Sequence, residues 1–73
     1  MNFSEALEQM ISNHKTIRIF RETMRWDEKE YKIISKSDIF QEVDEISIND
    51  FIEIYEFLEN EELFYMKGKG YEI

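Results

Sequence analysis

The stretch Ile46-Ser47-Ile48-Asn49-Asp50-Phe51-Ile52-Glu53-Ile54-Tyr55-Glu56-Phe57-Leu58-Glu59 decides the fold, because it can be read with two periods. At the helical repeat of about 3.6 residues, Ile48, Phe51, Ile52, Tyr55 and Leu58 share one face. At a repeat of about two, the run from Glu53 to Phe57 alternates in part and is rich in rings, as a strand would be. The residues at its start favour the helix. Ser47 stands at the N-cap, Asp50 takes the third helical position and completes a capping box, and Ile46 and Phe51 occupy the hydrophobic-staple positions. The spacing therefore predicts a helix over residues 48–59.

Upstream, Asn2 followed by Glu5 is a second capping-box pattern, with Ser4 as an alternative cap. Phe3, Leu7, Met10 and Ile11 then line one helical face, and Asn13 can take the left-handed stop conformation. This predicts a helix over residues 3–12. Residues 15–22 alternate as a half-exposed strand, with Ile17 and Ile19 on one side and Thr16, Arg18 and Phe20 on the other. Residues 23–29 are polar and read as a loop carrying Trp26, 30–35 as a second strand and 38–43 as a third. After the second helix, 63–67 read as a closing strand, and Gly68-Lys69-Gly70 as a tight turn into Tyr71-Glu72-Ile73. The expected fold is α+β: one small domain over residues 1–73, ordered α-β-β-β-α-β, with an antiparallel sheet.

The chain has 73 residues, no Cys and one His, so disulfides, thiolate metal sites and imidazole clusters are excluded as supports. Its mass lies in six Phe, four Tyr and one Trp. Rings in such number in so short a chain lead us to expect a homo-oligomer or a partner-bound monomer. The opening residues carry no signal-peptide pattern, and no apolar run approaches the roughly 20 residues of a membrane span, so the expected location is cytoplasmic. No nucleophile stands beside a His, and no glycine-rich phosphate loop follows a strand. The expectation is a protein that is not an enzyme and uses no metal or cofactor.

Charge is the feature that points to a partner. Residues 38–62 hold ten acids (Asp38, Glu42, Asp44, Glu45, Asp50, Glu53, Glu56, Glu59, Glu61, Glu62), and no Lys, Arg or His falls between Ser37 and Met66. The first 36 residues are almost balanced, with seven basic and six acidic side chains, so nearly all of the net charge of -8 lies in this stretch. Such a run repels itself. Solvation of one face, with pairing to the basic half, accounts for part of it; ten acids against seven bases leave a surplus. On a helix, Asp50, Glu53, Glu56 and Glu59 would recur at steps of about 4.5 Å, loosely matching the roughly 3.4 Å spacing of charges along a DNA strand. Asp44, Glu45, Asp50, Glu53, Glu56, Glu59, Glu61 and Glu62 are thus the candidate surface for a basic, nucleic-acid-binding protein. Glu59, Glu61 and Glu62 stand at the unfavourable helix end and are the strongest functional candidates. Trp26, Phe57, Phe64 and Tyr65 are the candidate aromatic anchors.

Arg18, Arg21, Arg25 and Trp26 form a rival constellation, able to hold one small phosphorylated ligand between subunits. Direct nucleic-acid binding is opposed by the overall charge. His14 is placed to meet the last carbonyls of the first helix, and the Asp44–Asp50 segment lacks the alternation and central Gly of a calcium loop.

The opening MNFSEALEQM, followed by the basic strand KTIRIFR, resembles small phage-encoded proteins that begin with an Asn-Phe-x-Glu-Ala-Leu helix. That group includes inhibitors of bacterial immunity, among them Thoeris-type sponges for nucleotide signals and an anti-CRISPR protein. The likeness covers about twenty residues. The Gly-Trp that usually follows the basic strand there is absent, so no ligand-binding residue carries over. What the resemblance implies is a setting: a phage anti-defence protein acting in the host cytoplasm. Joined with the acidic stretch, the expected function is a non-enzymatic inhibitor that competes with nucleic acid for a defence effector. A sponge for a phosphorylated nucleotide and a regulatory partner such as an antitoxin are the alternatives.

Overall fold

The computed structural model describes residues 1–66, so the expected turn at 68–70, the residues after it and the last position of the closing strand lie outside the described part. Helix α1 spans Phe3–Ser12. Its start is the capping box read from the sequence: the Asn2 side chain accepts from the Glu5 N–H at 2.9 Å, and the Glu5 carboxylate accepts from the Asn2 N–H at 3.2 Å. The left-handed stop falls one residue later than expected, at His14 (φ 53°), while Asn13 keeps φ -109°. His14 Nε2 lies 4.0 Å from Glu28.

Strands β1 (Ile17–Ile19), β2 (Glu22–Asp27), β3 (Lys32–Ser37) and β4 (Val43–Ile46) follow, then α2 (Ile48–Tyr55), a 3₁₀ turn (Glu56–Leu58) and β5 (Tyr65–Met66). All neighbours are antiparallel, in the order β4-β3-β2-β1-β5. The α+β class stands, with four strands rather than three before α2.

The extra strand comes from two misplaced boundaries. The strand expected over 15–22 breaks at a two-residue turn, Phe20-Arg21, in which Phe20 adopts φ 53°. The segment expected as a loop over 23–29 is mostly β2. Its polar residues misled because they alternate: Thr23 and Arg25 face one side, Met24 and Trp26 the other. The strand expected over 38–43 is instead a turn that yields to β4 only at Val43. Ser37 Oγ lies 3.3 Å and 3.4 Å from the Ile39 and Phe40 N–H groups and accepts from both, which bends the chain where apolar content suggested extension.

The strand reading of residues 53–57 is overturned by α2, although the α-helix ends at Tyr55 rather than 59. The helices cover one side of the sheet. Ile17, Ile19, Met24 and Ile33 pack there with Phe3, Ala6, Met10, Phe51, Leu58 and Phe64, and Trp26 and Ile46 seal the margin. Phe51 stacks on Phe3 (centroids 5.5 Å) and leans on Tyr55 (5.0 Å), while Phe64 meets Phe3 and Tyr55 edge-on. Strand register puts Arg18, Thr23, Arg25, Ile34, Lys36, Val43, Glu45 and Tyr65 on the opposite, helix-free side.

Tyr55 couples this core to pH. Burial pushes its phenol above the ordinary value, and the charge of Glu22 adds to the effect. The folded chain thus holds the Tyr55 proton more tightly than the unfolded chain. Stability from this group is complete below about pH 10, the unfolded value, and is lost as pH rises through the higher folded value. We expect urea midpoints to fall above that pH, and Tyr55→Phe to flatten the fall.

Candidate functional site: an acidic groove at the sheet edge

A single residue, Ser47, joins β4 to α2, and the helix folds back onto the sheet against β3, leaving a gap beside β4. Ser47 Oγ accepts from the Asp50 N–H at 3.1 Å and sets the helix start. Only this half of the expected capping box forms, which leaves the Asp50 carboxylate outside the cap. Between strand and helix lies an open concavity of about 410 Å³, lined by Asp44, Glu45, Ile46, Asp50, Glu53 and Ile54. Asp50 and Glu53, three residues apart, project from the same flank of α2.

The carboxylates of Asp44, Asp50 and Glu53 thus stand together on the helix side with two isoleucines, while Glu45 borders the groove from the edge strand with its side chain on the helix-free side. Asp44, Asp50 and Glu53 have no ion-pair partner among the described residues. Glu45 is held by Lys32, whose Nζ lies 2.8 Å from its Oε2 and 3.1 Å from Glu30. The bonds to Glu45 and then Glu30 raise the Lys32 pKa, so that ammonium stays charged. No group of three or more His, Cys, Asp or Glu among the described residues is placed to hold a metal ion. The groove offers charge and shape to a cationic surface.

The other acids predicted for this surface do not join it. Glu56, Glu61 and Glu62 are exposed and line no part of the groove. Glu59 is structural: its carboxylate accepts from the Ser4 N–H at 3.0 Å and from Ser4 Oγ at 2.9 Å, placing a negative charge at the N-terminus of α1. The expected row from Asp50 to Glu59 is broken because the α-helix ends at Tyr55 and the chain then turns toward α1. Replacing Glu59 with Gln should cost about 1 kcal/mol, read as a lower urea midpoint, because one donor pair loses its charged acceptor.

Among the candidate anchors, Phe64 is corrected: it is 1 % exposed and belongs to the core. Trp26 is half-buried on the helix side of β2, edge-on to Tyr31 at 6.3 Å, and not in a loop. Phe57 and Tyr65 are exposed, as an anchor requires.

The rival basic constellation does not assemble. Arg18 Nη1 donates to Thr23 Oγ1 at 2.8 Å, and its other terminal nitrogen pairs with Asp38. The bond to Asp38, with Tyr65 contributing less, raises the Arg18 pKa further. Arg25 faces the helix-free side with Arg18, its Nε buried without an acceptor. Arg21 is exposed in the β1–β2 turn, and Trp26 points to the opposite side of the sheet.

Sequence reading missed the apolar ends of two touching turns. Phe20, Ile39 and Phe40 are all exposed, and the Asp38 N–H donates to the Arg21 carbonyl at 2.9 Å, which ties the turns together. The signal was the alternation itself, which assigned these side chains to strands.

Fold and site together define a small α+β domain with an acid-lined groove beside an outer strand. Comparison with protein-family models, curated proteins and solved structures returned no match. No helix among the described residues is long and apolar enough to cross a membrane.

Proposed function

We propose that this protein is a non-enzymatic inhibitor whose acidic groove binds a basic, nucleic-acid-binding protein and competes with the nucleic acid. The observation that supports the reading is that Asp44, Asp50 and Glu53 line one concavity, none of them with an ion-pair partner among the described residues. Carboxylates left uncompensated at one place raise the local negative potential, which speeds encounter with a cationic cleft and makes binding salt-sensitive. Ile46 and Ile54 supply apolar contact within the same groove, and Phe57 and Tyr65 are exposed rings available to lengthen residence. The opening residues add the setting of a phage anti-defence protein, of anti-CRISPR type, acting in the host cytoplasm.

The test is competition. Proteins retained on the immobilised chain at low salt are challenged with single-stranded DNA or RNA. The reading expects nucleic acid to release a bound basic protein in proportion to its concentration. A retained partner that carries nucleic acid and inhibitor together would contradict it.

A further inference from the structure

Strand β4 is an outer strand, with none beyond it among the described residues. Its register with β3 shows which backbone groups are free. Ser37 N–H donates to the Glu42 carbonyl at 3.1 Å, and Ser35 and Ile33 stand opposite Asp44 and Ile46. Hydrogen-bonded pairs alternate in an antiparallel ladder, so Asp44 and Ile46 turn their N–H and C=O groups inward to β3. Val43 and Glu45 turn theirs outward. An exposed edge of this kind is a template for another strand.

We propose that the outer edge of β4 receives an extended segment of the basic partner as an added strand, with its lysines or arginines on the helix side. The inference rests on the reading of the groove in the preceding subsection and specifies how the partner sits there. A strand laid beside Val43 and Glu45 runs along the groove lined by Asp44, Asp50, Glu53 and Ile54. Its alternate side chains on the helix side meet those carboxylates, and the intervening ones lie beside Val43, which is 54 % exposed, and Glu45, whose charge Lys32 already compensates. The occupant is therefore an alternating cationic and apolar segment. A second copy of the chain does not fit: pairing β4 with itself would set Asp44 against Asp44 or Glu45 against Glu45 across the new ladder.

The test uses a Lys-Val alternating octapeptide on the full chain, beside the same peptide N-methylated at every second residue on the edge that would face β4. The two carry the same charge, but the second cannot donate to an edge. The expected result is slowed amide exchange at Val43 and Glu45 with the first peptide, and binding about tenfold weaker with the second. Val43→Pro removes an outward N–H without touching the β3–β4 ladder, and should weaken the first peptide to a similar extent. The N-methylated peptide keeps the test valid if that variant folds poorly. Equal affinity of the two peptides, or unchanged exchange at Val43 and Glu45, overturns the added strand while leaving the acidic groove as a partner site. Failure of both peptides to bind at low salt overturns both.

Discussion

Replacing Phe51 with Ala is expected to lower stability by about 3–5 kcal/mol, the range for removing a buried ring and leaving a cavity. Phe51 is fully buried, stacks on Phe3 of α1, and leans on Tyr55 in its own helix. It is the residue through which α2 is fastened to the rest of the core. A domain of this length holds roughly 4–11 kcal/mol in total, so the loss is a large part of the whole. Each 1 kcal/mol lowers the melting midpoint of so small a domain by about 4–8 °C, so a fall of at least about 12 °C should be seen calorimetrically. Phe57, six residues further along the chain and 75 % exposed, is the control. Phe57→Ala should stay within about 0.5 kcal/mol of the parent.

The second large effect concerns binding. Asp50→Lys with Glu53→Lys reverses the helix wall of the groove, whereas Glu61→Lys with Glu62→Lys changes the net charge of -8 by the same amount outside it. If total charge governed association, the two variants would behave alike. If the groove governs it, the first should lose about a hundredfold in affinity for a cationic partner and the second only a few-fold. Asp50 also sits in the first turn of α2, where Lys opposes the helix dipole at about 0.3–1 kcal/mol. The neutral pair Asp50→Asn with Glu53→Gln avoids most of that penalty and should give an intermediate loss. Binding isotherms for the three variants at one salt concentration decide between the two accounts.

Much of the fold was legible because the decisive signals were local. Asn2 with Glu5, and Ser47 with Asp50, mark helix starts by the donors they satisfy, and both helices begin where those residues say. The sheet was less legible. Thr23 and Arg25 look like loop residues until the helix-free side of the sheet is known, and Ile39 and Phe40 look like strand residues until Ser37 is seen to bend the backbone. In the first case tertiary placement overrode composition; in the second a local side-chain turn did. The groove was legible in part: the acidic stretch was plain, yet only the register of β4 and the one-residue link at Ser47 select Asp44, Asp50 and Glu53 from it. Glu59 shows the limit of the argument from helix dipoles. Unfavourable at the end of its own helix, it answers the N-terminus of α1, which lies far away in sequence.

The central proposition is that negative charge acts at one place, the angle between the outer strand and the second helix. Amide chemical-shift mapping of the full chain with octalysine at low salt addresses it directly. The largest shifts should fall at Asp44, Glu45, Asp50, Glu53 and Ile54, and should fade together as salt is raised. Shifts of equal size at Glu5, Glu28, Glu61 and Glu62 would show a cation drawn to the molecule as a whole, and would contradict the account.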